Sequence, residues 1–116
     1  MEKTDVLAAL GALAQESRLD IFRLLVQAGP HGLPAGQIGE RLHLPSATLS
    51  FHLNALRHAG LVTFRRDGRS LIYSAEYQAM NALLGYLTEN CCGGDPAGCG
   101  VDTRPGLPPD RTGTRP

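Results

Sequence analysis

All three cysteines of this chain stand in one short stretch: Cys91 and Cys92 side by side, then Cys99 after six residues of which three are glycine. Thiolate is a soft ligand and selects soft acceptors. Structural zinc takes four ligands. With no histidine nearby, a zinc site would have to borrow Glu89, Asp95 or a residue of a second subunit. Gly93, Gly94 and Gly98 let Cys99 fold back onto the pair with little steric hindrance. The stretch therefore suits an ion that takes three sulfurs. Oxidation is the second chemistry open to it. Cys99 can bridge to one of the pair, whereas Cys91 joined to Cys92 would make a strained ring. An odd cysteine count also argues against a purely structural disulfide framework. Idle thiols are the blandest explanation, and clustering on an exposed segment speaks against it.

The elements that position these thiols follow from the rest of the chain. Its 116 residues, 42% of them hydrophobic, suit one domain with a modest core. No apolar run approaches the ~20 residues of a membrane span. The N-terminus lacks the basic region of a signal peptide. A cytoplasmic protein with reduced thiols is the expectation. No P-loop, no G-x-S-x-G and no recognisable carboxylate pair is present, so an enzyme is not expected. Formal net charge is zero, yet positions 41–74 hold Arg41, Arg57, Arg65, Arg66 and Arg69 against Asp67 alone. A basic segment inside a neutral chain is a footprint for a polyanion.

The last 24 residues, from Gly93, include six glycines and five prolines. They bury too little to offset their ordering entropy, which predicts a flexible tail over 91–116 and a folded domain over 1–90. Within the domain, Val6, Leu7, Leu10 and Leu13 recur at helical spacing. Ser17 is placed to cap a second helix with Ile21, Phe22, Leu24 and Leu25 on its buried side, ended by Gly29-Pro30. A short helix over 38–42 is weakened by the neighbouring Gly36 and Gly39. The next helix begins at Ser46, repeats Leu49, Leu53 and Leu56 at i, i+4, i+7, and stops at Gly60. A fifth helix runs from Glu76 to about Asn90, with Tyr77, Met80, Leu83, Leu84 and Leu87 on one face. Between these last two, Asp67-Gly68 carries the type I′ hairpin signature. That turn pairs Phe64 with Leu71 and Val62 with Tyr73, and sets Arg66 opposite Arg69 at the tip. Like charges so placed destabilise a sheet, so the two long side chains either splay into solvent or share a phosphate between them.

The fold class expected is mainly α with a small β-hairpin: a winged helix-turn-helix of five helices and a two-stranded wing. The helix from Ser46 is its recognition helix. At 100° per residue, Ala47, Phe51, Asn54 and His58 point away from the leucine stripe, with Thr48 and Ser50 on the flanks. Base contacts concentrate in the first turns of such a helix. That assigns Ser46, Ala47, Thr48, Ser50, Phe51 and Asn54 to bases and Arg57, Arg65, Arg66 and Arg69 to phosphates. Phe51 is either stray exposed apolar surface or a partner for a thymine methyl. His52 turns toward the apolar side and reads as a structural histidine with a satisfied hydrogen bond. His31 and His43 have no second ligand at metal-site spacing.

The runs LAQESRLDIFRLL, LPSATLSFHLNALRHAGLV and RRDGRSLIYS resemble the ArsR family of small winged-helix repressors, in matching order through nearly all of residues 5–90. The S-x-H-L-x-x-L-x-x-A-G-L run from Ser50 to Leu61 is the most specific part. The resemblance implies a homodimer joined by the first and last helices, binding an inverted repeat in double-stranded operator DNA and released by an inducer, with no membrane partner. One departure matters: the founding arsenic sensors carry cysteines in the helix before the recognition helix, and LPAGQIGERL has none. Cys91, Cys92 and Cys99 instead resemble those of an arsenite-responsive subgroup with an adjacent pair and a third thiol after the last helix. Trivalent arsenic takes three sulfurs in a pyramid, and antimonite fits the same chemistry. A redox or persulfide sensor, or a sensor of cadmium or zinc, stands as the alternative.

Overall fold

The structure, a computed structural model, describes residues 1–94; the expected flexibility beyond them, and Cys99, lie outside the described residues. Five α-helices and three strands follow in the order α1 (Lys3–Leu13), α2 (Glu16–Ala28), β1 (Leu33–Pro34), α3 (Ala35–Leu42), α4 (Ser46–His58), β2 (Val62–Asp67), β3 (Ser70–Ala75) and α5 (Tyr77–Leu87). A non-helical turn over Cys91–Gly94, with Cys92 and Gly93 at positive φ, closes the described chain.

The core sits where α2, α3 and α4 meet. Ile21 and Leu25 of α2, Ile38 of α3, and Leu53 and Leu56 of α4 are fully buried, as is Leu61 just beyond α4. Side chains of this size each contribute about 1.5–3 kcal/mol on burial. The predicted α4 stripe of Leu49, Leu53 and Leu56 is the inner face, and Gly60 takes a positive φ of 78° where the chain leaves the helix. The α2 cap differs from expectation. Gln15, not Ser17, precedes the helix, and its side-chain oxygen accepts from the Arg18 N–H at 2.9 Å. The helix starts one residue before Ser17, so that hydroxyl falls inside the first turn.

The third helix is longer than the glycines suggested. Its C-cap, His43, is left-handed (φ 56°), and the Leu44 N–H donates to the Gly39 carbonyl at 3.0 Å. A Cβ on Gly39 would come within 3.1 Å of the Leu44 oxygen. Gly39 thus weakens the helix but permits the tight turn into α4.

The hairpin register also differs. Val62 pairs with Ala75, Phe64 with Tyr73, Arg66 with Leu71 and Asp67 with Ser70. The two-residue loop is therefore Gly68-Arg69, and Arg66 does not face Arg69. Gly68 has φ 63°, whereas Arg69 is not among the left-handed residues. Glycine at the first loop position is the II′ pattern rather than I′. Opposed residues share a face in either register, so the apolar side survives the shift, with the Phe64 and Tyr73 rings 5.4 Å apart. A short third strand, unforeseen, makes the sheet order β1-β3-β2. Leu33 pairs with Tyr73 and Pro34 with Ile72. Gly32 lies so close to Tyr73 that an added Cβ would meet its carbonyl oxygen at 2.3 Å.

Candidate nucleic-acid interface and thiol turn

The outer face of α4 presents Ser46, Ala47, Thr48, Ser50, Phe51, Asn54 and Arg57, all exposed. Arg65, Arg66 and Arg69 are exposed along the wing. All ten residues assigned from sequence to DNA therefore reach solvent, on one helix and the ribbon that follows it. Phe51 is 64% exposed although large and apolar.

Three contacts tie these residues to the scaffold. The Arg57 guanidinium stacks over the Phe64 ring at 5.3 Å, joining the end of α4 to the wing. An Arg65 terminal N–H donates to the His31 carbonyl at 3.2 Å, fastening the ribbon to the turn after α2. The Arg18 Nε–H donates to His52 Nδ1 at 3.1 Å, joining the first turn of α2 to the recognition helix. His52, 7% exposed, is the structural histidine expected, with its bond satisfied. Burial first, and then the Arg18 charge, lower its pKa below the usual 6.5.

Arg18 and the His31 carbonyl were not singled out in the sequence. Each partner lies 34 residues away, so no local pattern signals the contact. Tyr77, placed from sequence on the apolar face of the last helix, makes a third long-range contact: its hydroxyl donates to the Val26 carbonyl at 2.9 Å, binding the start of α5 to the end of α2.

The sheet and α4 are self-contained, but α1 and α5 are not. In α1 the buried residues are Val6, Ala9 and Ala12, so the expected stripe divides: Leu7 and Leu10 lie outside. In α5 only Leu83 is buried, while Leu84, Tyr86 and Leu87 are exposed. Among the described residues, no helix is long and apolar enough to cross a membrane.

Beyond α5 the chain turns sharply. Asn90 and Cys92 both have left-handed backbones, φ 57° and 55°, and the Cys91 N–H donates to the Thr88 carbonyl at 2.9 Å. This turn brings the Cys91 and Cys92 sulfurs to 3.5 Å, within reach of one thiophilic ion. Among the described residues no group of three or more His, Cys, Asp or Glu is placed to hold a metal; Cys99 lies outside them.

A helix-turn-helix followed by a ribbon, with an exposed polar helix face and arginines on the wing, defines a winged-helix DNA-binding transcriptional regulator. Comparison with known proteins agrees. The helix-turn-helix domain family matches residues 13–64. The transcriptional activator HlyU of Vibrio cholerae is 38% identical over 89 residues, spanning 72% of this chain and 80% of that protein. Among solved structures, an ArsR-like transcriptional regulator from Rhodococcus sp. RHA1 superposes with TM-score 0.68 at 26% identity, covering 81% of this chain and 86% of that one. The homodimeric winged helix-turn-helix DNA-binding domain of Mb0332 from Mycobacterium bovis, a possible ArsR-family regulator, gives 0.60 at 28%, over 79% and 85%. A possible transcriptional regulator for arsenical resistance gives 0.60 at 26%, over 68% and 79%. The chain belongs to the ArsR family of winged-helix transcriptional regulators, a non-enzymatic DNA-binding family.

Proposed function

We propose that this protein is an arsenite-responsive repressor: a homodimer that holds an inverted-repeat operator when empty and releases it on capturing trivalent arsenic through Cys91, Cys92 and Cys99. Antimonite would bind by the same chemistry. The observation that carries the reading is the pair of sulfurs 3.5 Å apart on the turn that ends α5. Likeness to a possible regulator for arsenical resistance supports it. Exposed Leu7 and Leu10 on α1, and Leu84, Tyr86 and Leu87 on α5, supply the apolar surface that a second copy would cover. The Mb0332 domain is homodimeric. The thiols thus sit at the end of a helix that would form the dimer seam.

In this reading Ser46, Ala47, Thr48, Ser50, Phe51 and Asn54 meet base edges, and Arg57, Arg65, Arg66 and Arg69 meet phosphates. Inducer capture pins the tail and respaces the two recognition helices. The route is physical: Tyr77 ties α5 to α2, and Arg18 ties α2 to α4. A ligand shifts such an equilibrium only by its affinity difference between the two states. A difference of ~100-fold, about 2.7 kcal/mol, is ample for derepression.

The test is operator release by arsenite under anaerobic, reducing conditions. Cys91→Ser, Cys92→Ser and Cys99→Ser should each bind operator normally when empty and respond poorly, since two sulfurs hold the ion less well than three. Inducer binding should weaken as pH falls and protons compete for the thiolates. A normal arsenite response in all three variants would sink the reading. The same two sulfurs, 3.5 Å apart, favour a second one, a redox-sensing repressor. Release by oxidant alone, with arsenite inert, would establish that reading in place of the first.

A further inference from the structure

We infer that Arg18 is a positioning residue of the DNA-reading surface, setting Phe51 and His52 in the recognition helix from the first turn of α2. Three observations converge on it. Its Nε–H donates to His52 Nδ1 at 3.1 Å. Its guanidinium carbon lies 5.7 Å from the centre of the Phe51 ring. The Phe51 and His52 rings meet edge-on, 5.5 Å apart at 63°. One half-buried side chain therefore grips two consecutive residues of α4, one facing the core and one facing out.

The chemistry suits arginine in particular. A guanidinium is planar, so it can hydrogen-bond in its own plane through Nε while attracting an aromatic face. A lysine ammonium keeps the charge but lacks the fork, and cannot do both in the same geometry. The His52 bond also fixes a tautomer. Nδ1 must be the acceptor, which puts the ring proton on Nε2, and burial disfavours the charged imidazolium. Phe51 needs such support because 64% of it is in solvent, where little else limits its rotamers. An aromatic that must meet a base edge binds more tightly when its conformation is set before contact. Arg18 itself lies outside the basic segment 41–74, and its Nε is engaged by His52. Its contribution is thus to sequence discrimination rather than to phosphate attraction.

This inference rests on Phe51 being an operator contact. The test compares Arg18→Lys, Arg18→Ala, Phe51→Ala and the Arg18→Ala/Phe51→Ala double variant. Affinity is measured for operator and for random duplex of equal length, each over a range of salt. Both Arg18 variants should lose about fivefold in operator affinity, on the scale of a cation–π contact. Random-duplex affinity and the salt slope should stay at the wild-type value. The double variant should be no worse than Phe51→Ala, because Arg18 acts through the ring. If Arg18→Ala does not fold, as judged by circular dichroism, Arg18→Lys carries the comparison. A slope reduced by ~0.9 in Arg18→Ala and restored by lysine would make Arg18 a phosphate contact and overturn the inference. So would wild-type operator affinity in Arg18→Lys beside a costly Phe51→Ala. A harmless Phe51→Ala would instead remove Phe51 from the operator contacts, and the inference would fall with that reading.

Discussion

Helices α4 and α5 are similar in length and opposite in how they use apolar residues. In α4 every leucine is buried and the outer face is polar apart from Ala47 and Phe51. In α5 only Leu83 is buried, while Leu84 and Leu87 stay 54% and 56% exposed. The recognition helix is completed by its own chain, so its surface is left to meet polar, charged DNA. The last helix is left incomplete, and what would complete it is more apolar surface. The two helices thus differ in kind: one is held by a core, the other leaves apolar surface uncovered.

The largest expected effect tests the first half of that contrast. Leu53→Ala removes a fully buried α4 side chain and should cost about 2–5 kcal/mol of stability, read from denaturant midpoints. Loss of less than ~1 kcal/mol would mean that the core does not hold α4 in place. Next comes the seam. Leu84→Glu with Leu87→Glu should leave helix content intact, shift sedimentation toward monomer, and lower operator affinity by about 10²-fold or more as two linked half-site contacts become one. A dimer of normal affinity would place the interface elsewhere.

The wing offers a smaller effect. Arg66 faces Leu71, not Arg69, so the two arginines are not a clamp on one phosphate. Arg66→Ala and Arg69→Ala should act independently, each weakening all duplexes alike and lowering the salt slope by ~0.9 per lost contact. An effect of the double variant equal to either single one would restore the shared-phosphate arrangement. The smallest effect belongs to His52. Its folded-state pKa lies below 6.5, so as pH falls past 6.5 the unfolded chain binds a proton that the folded chain does not. The stability from neutral His52 is present above pH 6.5 and declines as pH drops toward the folded-state value. Unfolding midpoints from pH 7.5 to 5 should fall more steeply for wild type than for His52→Gln; parallel curves would show that His52 titrates alike in both states.

What was legible in the sequence was whatever repeats at short range. The leucines at 49, 53 and 56 specify a helix and its inner face without reference to anything else, and so expose the residues between them. Their exposure in the structure follows from that one stripe. The hairpin's apolar side was legible for the same reason, since alternation survives a shift of pairing by one step at each strand. The register itself was not. Asp67-Gly68 and Gly68-Arg69 both place the same glycine in a loop, and Gly68 adopts a positive φ in either. The observed pairing holds Tyr73 between Phe64 and Leu33, with Gly32 packed on its carbonyl. The Arg18–His52 bond, the Arg65–His31 bond and the Tyr77–Val26 bond join residues at least 34 positions apart. Likewise, periodicity grouped Leu7 and Leu10 with Val6, yet packing turned Val6, Ala9 and Ala12 inward and left both leucines in solvent. A sequence period states which residues share a helix face, because backbone geometry is local. Which face is covered, and by what, depends on where the other helices come to rest, and only the tertiary structure decides that.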